Sequence, residues 1–141
     1  MPAIRRLLET ALYVEDLDRA QQFYERVLGL RPLYATQDPD AAARFRPMNV
    51  PGNSVLLLFR KGATSETLTM PGGTIPGHDG SGQLHFAFAV DSLDGWKEHL
   101  AECGVAIEGQ TKWPGGGVSW YFRDPEENLV ELATPGIWPT Y

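Results

Sequence analysis

At 141 residues the chain is long enough for one domain, or for two small modules sharing a core. Hydrophobic residues at 43% and charged residues at 21% are an ordinary globular balance and exclude wholesale disorder. The 12 basic against 18 acidic residues, net charge −6, argue against a nucleic-acid binder, which needs a basic stripe to displace counterions from phosphates.

The single Cys103 cannot close an internal disulfide, and no run of about 18 apolar residues suggests a membrane span. The opening MPAIRRLLE has basic residues but neither an apolar signal core nor a small-residue cleavage site. The expectation is a cytoplasmic protein with no membrane partner.

Leu7 to Val14 reads as a strand, and Asp16 or Asp18 then offers an N-cap for a helix running to about Leu28. Leu17, Ala20, Phe23, Tyr24, Val27 and Leu28 recur at the three-and-four spacing of one apolar stripe, and Gly29 ends it. A second strand is expected over Leu30 to Thr36 and a helical turn from Asp38. A third strand over Phe45 to Asn49 breaks at Pro51-Gly52-Asn53, a turn signal. Val55 to Phe59 is the fourth, apolar on both faces and therefore expected to be buried.

From Arg60 to Gly82 glycine and proline dominate. A loop beyond about 15 residues is commonly functional, so this stretch is either a connector between halves or a lid over a site. His78 lies in it and is a candidate substrate contact, set against a solvated loop residue.

The second half repeats the first. Gln83 to Val90 is a strand, and Asp91 or Ser92 caps a helix to about Cys103 with Leu93, Trp96, Leu100 and Cys103 inward, stopped by Gly104. Strands follow at Val105 to Thr111, Val118 to Phe122 and Leu129 to Ala133, the last pair joined by a turn over Asp124 to Asn128. Setting Glu9 on His85, an offset of 76, also aligns Val14 with Val90, Leu17 with Leu93 and Asp18 with Asp94. The order is strand, helix, three strands, twice over.

Side chains alternate along a strand, so Leu84, Phe86, Phe88 and Val90 share one face while His85, Ala87 and Ala89 share the other. Glu9 is followed by Ala11, and Glu131 by Ala133, in the same alternation. A lone strand His is ordinarily a hydrogen-bonded core or edge residue, and a lone strand Glu is solvated or paired. Three such residues in matching contexts point instead to metal binding, because a carboxylate on a half-buried strand is costly unless paired or ligated.

The run Leu12-Tyr13-Val14-Glu15-Asp16-Leu17-Asp18-Arg19-Ala20, with Phe23-Tyr24 and Val27-Leu28-Gly29-Leu30, resembles the first module of the vicinal oxygen chelate superfamily. Its members include glyoxalases, extradiol dioxygenases and fosfomycin- and bleomycin-resistance proteins. Tyr121-Phe122-Arg123-Asp124-Pro125 with Asn128-Leu129-Val130-Glu131-Leu132 is similar to its closing hairpin. The resemblance, from about Leu7 to Pro135, implies an α+β fold: tandem βαβββ modules forming a curved eight-stranded mixed sheet around a central cavity. The whole chain would be a single domain, with module one over about 5–61, a linker over 62–82, module two over 83–134 and a tail over 135–141.

Carried over residue by residue, the resemblance places metal ligands at Glu9, His85 and Glu131. Leu56 and Leu57, where a fourth ligand of a glyoxalase-type site would stand, cannot bind a metal. One imidazole and two carboxylates suit one divalent Mn, Fe, Co, Ni or Zn ion, with open positions for a small-molecule substrate. Glu131 or Glu9 could leave the metal to act as the catalytic base. An extradiol dioxygenase would be expected to keep two histidines. Phe59, Trp113, Trp120 and Tyr121 are candidates for the pocket lining, set against ordinary core aromatics, with Gly115-Gly116-Gly117 loosening the adjacent hairpin. Arg123 is a candidate for an anionic substrate, against an ion pair at the strand end, and the apolar tail is expected to cover the cavity or pack on a partner subunit. The resemblance also implies a homodimer.

Two functions follow. One is a metal-dependent lyase, isomerase or dioxygenase acting on a small oxygen-chelating substrate. The other is a metal-free protein of the bleomycin-resistance type that sequesters a cationic ligand, with which net charge −6 and the missing fourth ligand are consistent; the trio of ligand types discriminates in favour of the first, because a sequestering protein has no need to retain them.

Overall fold

The computed structural model describes residues 1, 3–33 and 38–141. They form two compact units, Met1–Ser81 and Gly82–Tyr141, each an α+β module built around a four-stranded mixed sheet.

The first unit opens with β1 (Glu9–Val14) and α1 (Leu17–Leu28). Asp16 caps the helix with its carboxylate, which accepts from the Arg19 amide at 3.0 Å. Gly29 ends it at φ 66°, a left-handed conformation that glycine adopts without a Cβ penalty. β2 (Arg31–Pro32), α2 (Pro39–Ala42, capped by Asp38), β3 (Phe45–Val50) and β4 (Ser54–Arg60) follow. Part of the expected second strand falls on Tyr34, Ala35 and Thr36, which lie outside the described residues.

The sheet order is β1-β4-β3-β2, with β1 parallel to β4 and the remaining pairs antiparallel. Leu12, Val14, Met48, Leu56 and Leu58 are buried, as are Leu17, Ala20, Tyr24 and Val27 of α1. Strand alternation sends Glu9, Ala11, Tyr13, Leu57 and Phe59 to the opposite face. The expected burial of the fourth strand therefore holds for Leu56 and Leu58, while Leu57 and Phe59 are only half-buried.

The glycine-rich stretch is more than a connector. It contains a two-stranded hairpin, β5 (Leu68–Met70) with β6 (Gly73–Ile75). The tripeptide strands are too short to show an alternation in sequence, so composition alone reads as loop.

The second unit repeats the plan with β7 (His85–Ala89), α3 (Trp96–Glu102), β8 (Gly109–Lys112), β9 (Val118–Arg123) and β10 (Leu129–Ala133). Its order, β7-β10-β9-β8, again pairs first and last strands in parallel. Two starts differ most from the sequence reading. The helix begins at Trp96 because the Ser92 hydroxyl closes a local turn by accepting from the Asp94 amide at 3.0 Å, and Gly95 is left-handed at φ 77°. β8 begins at Gly109, four residues after the expected start at Val105.

The tail docks within the second unit. Tyr141 donates its hydroxyl to Val90 O at 3.0 Å, and the Gly136 amide donates to Tyr141 O at 2.9 Å. Gly115 and Gly117 are needed for close approach more than for backbone freedom. A Cβ on Gly115 would stand 2.3 Å from Gly136 O, and one on Gly117 2.6 Å from the Ile137 side chain.

Candidate functional site

Parallel pairing of β10 with β7 sets Leu129 against His85 and Glu131 against Ala87. Antiparallel pairing with β9 sets Glu131 against Tyr121 and Ala133 against Ser119. These registers put His85, Glu131, Tyr121 and Ser119 on one face of the sheet, and Phe86, Phe88, Trp120, Phe122, Val130 and Leu132 on the other.

On the polar face His85 Nε2 lies 3.2 Å from Glu131 Oε2. The imidazole is half-exposed and the carboxylate buried. His85 Nδ1 is 3.1 Å from Leu129 O, and because a carbonyl only accepts, Nδ1 carries a proton. In the neutral ring Nε2 is then a bare lone pair facing a carboxylate oxygen. Such an arrangement is repulsive unless a proton or a metal ion lies between the two atoms, and adjacent ligands bonded at about 2.1 Å to one ion are separated by about this distance. The pair thus fits a divalent cation.

The other carboxylate oxygen is held from behind. Ser119 Oγ donates to Glu131 Oε1, and Trp113 Nε1 donates to Ser119 Oγ at 2.8 Å. Ser119 is fully buried, so its bond to Glu131 is shielded from water, where such bonds hold their geometry best. Tyr121 lies beside the pair, its ring centroid 6.2 Å from that of His85.

Of the expected trio the structure brings together His85 and Glu131. Glu9 belongs to the first unit, and among the described residues no three His, Cys, Asp or Glu side chains gather to hold a metal ion. Trp113 supports Glu131 through Ser119, a role distinct from lining a pocket. Trp120 shares the face of Phe122 and Leu132, opposite Glu131, since its register partner is Leu132. Arg123 is committed: its Nε donates to Glu108 Oε2 at 3.0 Å and a terminal nitrogen to Glu127 O at 3.0 Å. That is the ion pair at the strand end, although its carboxylate partner is Glu108 and not the neighbouring Asp124.

In the first unit, Glu9, Phe59 and His78 line a cavity of about 410 Å³. The linker supplies much of its wall, including Thr64, Leu68, Ile75 and His78. Sequence reasoning passed over two residues. Ser119 alternates in step with Tyr121 on an otherwise apolar strand, a legible signal for a buried polar partner. Tyr13, four residues after Glu9 and hence on the same face, hydrogen-bonds His78 Nδ1 at 2.8 Å. Burial, and then the negative charge of Asp79, push the Tyr13 phenol above its ordinary range.

Residues 6–132 match the family model described as the Glyoxalase/Bleomycin resistance protein/Dioxygenase superfamily. The crystal structure of lactoylglutathione lyase from Agrobacterium tumefaciens is similar at 32% identity and a TM-score of 0.83, over 98% of this chain and 99% of that one. The glyoxalase domain-containing protein RDO1 of Mycosarcoma maydis is 30% identical over 94% of this chain and 69% of its own length. YwkD of Bacillus subtilis (strain 168) is 25% identical over 92% of this chain and 96% of its own.

Proposed function

The chain belongs to the Glyoxalase/Bleomycin resistance protein/Dioxygenase superfamily, and on that premise we propose that it is a metal-dependent lyase or isomerase acting on a small substrate with two neighbouring oxygens. The observation that carries this reading is the His85–Glu131 pair, with Nε2 and Oε2 turned towards each other at 3.2 Å and their other polar atoms already bonded. In this proposal the two residues are the metal ligands of the second unit. Glu9, at the equivalent place in the repeat, is the ligand of the first. The donor types suit Mn, Fe, Co, Ni or Zn, and a single imidazole disfavours dioxygenase chemistry. The likeness to a lactoylglutathione lyase at 32% identity supports the lyase or isomerase.

Each residue has a separable task. Leu129 O holds the His85 ring in the tautomer that leaves Nε2 bare. Ser119 occupies Glu131 Oε1 and leaves Oε2 as the reacting oxygen. A divalent ion, when bound, supplies Lewis acidity towards two substrate oxygens. Glu131 Oε2 once free of the ion, or the Glu9 carboxylate, would be the base that takes a proton from a carbon beside the substrate carbonyl. Tyr121 flanks the pair, and Trp113 holds Ser119 behind it. A homodimer, checked by sedimentation velocity, and a cytoplasmic location, checked by cell fractionation, complete the proposal.

The test is metal content after loading with each of the five ions, alongside turnover of lactoylglutathione. One ion per chain is expected in the wild type and none in His85→Ala or Glu131→Gln, both remaining folded by circular dichroism. Stoichiometric metal retained in both variants would overturn the assignment. Wild-type protein that takes up no metal would point to the sequestering function.

A further inference from the structure

The cavity of the first unit, which Glu9 lines, is built as a ligand site. Its 410 Å³ lies in the range of pockets for small organic molecules. Leu57, Phe45 and Phe59 come from the sheet, with Leu68 and Ile75 from the linker hairpin. The Phe45 and Phe59 rings are tilted by 35° at a centroid distance of 5.9 Å, an aromatic surface with little freedom of its own.

His78 is held firmly at this surface. Its amide donates to Thr64 O at 2.8 Å, and Thr64 Oγ1 donates to His78 O at 2.7 Å. Its ring meets Phe59 edge-on, at 4.9 Å and 73°. Behind it stands Tyr13, with Oη 2.8 Å from Nδ1. A phenol is the better donor and a bare imidazole nitrogen the better acceptor, so Tyr13 donates to Nδ1 in the tautomer that carries the ring proton on Nε2. Among the described residues Nε2 has no hydrogen-bond partner. A histidine that only filled space would not present a fixed, unspent donor beside an apolar cavity.

The lining also selects for charge. Glu9 and Glu66 against Arg44 leave it formally negative, which disfavours a carboxylate ligand.

We propose that this cavity binds a planar aromatic ligand, or the aromatic part of a substrate, bearing an uncharged oxygen acceptor such as a ketone, aldehyde or phenol. Phe45 and Phe59 hold the ring, and His78 Nε2–H donates to the oxygen. The proposal shares Glu9 with the metal reading and so names the ligand class of that same site, but it is tested without an ion, because Phe45, Phe59 and His78 alone make the contacts it needs.

The experiment uses full-length protein treated with EDTA and two probes of the same ring system, 2-acetylnaphthalene and 2-ethylnaphthalene, titrated by NMR with ¹⁵N-labelled histidine. The ketone is expected to saturate one site per chain, to shift the His78 ring nitrogens, and to bind about tenfold more tightly than the hydrocarbon, a gain of about 1.4 kcal/mol. His78→Ala should bring the ketone down to the affinity of the hydrocarbon without changing the hydrocarbon. Phe59→Leu, a milder change than Phe59→Ala where folding is a concern, should weaken both. Absence of saturable binding, unmoved His78 resonances, or a preference for the ketone that survives in His78→Ala would each overturn the proposal. None of these results bears on metal content.

Discussion

Tyr13 links the linker to the sheet through a group that titrates. Its phenol is raised above 10.0, first by burial and then by Asp79. An acid whose folded pKa exceeds its unfolded value holds more protons in the native state once pH passes about 10, so stability falls as pH rises from there through the folded pKa. Below about pH 10 both states are protonated and nothing is gained or lost. Tyr13→Phe is therefore expected to flatten the decline in stability above about pH 10, measured by urea unfolding at each pH. An unchanged slope would show that the phenol does not titrate differently in the folded chain. His78 and Asp79 are the ionisable neighbours to monitor in the same series.

Ser119 makes a residue-scale argument of another kind. Ser119→Ala removes the one donor seen on Glu131 Oε1 among the described residues and leaves Trp113 Nε1 without its acceptor. Burial makes that loss expensive, about 1–3 kcal/mol of stability. If Glu131 is a metal ligand, affinity should also fall about 10- to 100-fold, read by competition with a coloured chelator. A loss of stability with unchanged metal affinity would leave Ser119 a structural residue alone.

At the scale of the element, β4 separates folding from binding by parity. Leu58 is fully buried on the face shared with Leu56, whereas Leu57 borders the cavity on the other face. Leu58→Ala should cost about 2–5 kcal/mol, transfer and cavity terms together. Leu57→Ala should cost less, since the space it vacates adjoins one already present, but should weaken binding of 2-acetylnaphthalene. Denaturant midpoints and the NMR titration check the two halves, and equal destabilisation by both would mean that Leu57 is packed as core. The same alternation explains why Trp120 leaves the polar face while Tyr121 remains on it. The linker is the opposite case, for its role comes from close contact. A Cβ on Gly77 would stand 2.1 Å from Ser65 O, and one on Gly80 2.6 Å from the Tyr13 ring, so these glycines let the chain lie against its own wall.

At the scale of the molecule, the 76-residue offset between Glu9 and His85 is answered by two sheets of one topology, first strand beside last in both. That much is written in the order of the residues, because alternation, helix periodicity and glycine stops are local rules that act over a few residues. The same order also marked Glu9, His85 and Glu131 as strand residues of unusual chemistry. Other features depended on tertiary structure, since they arise from contacts between residues far apart in the chain. No local pattern announces that Asn128 Oδ1 will bind the Leu84 amide at 3.0 Å, or that Ser119 will reach across two strands' registers to Glu131. Arg123 could not be told from a ligand-binding cation until Glu108 was seen beside it. His78 stood in a stretch whose composition reads as loop; only the fold set it between Tyr13, Thr64 and Phe59. Local propensity fixes which residues form a strand and which face each side chain takes, whereas hydrogen bonding between distant segments decides which of those side chains stay available to a ligand.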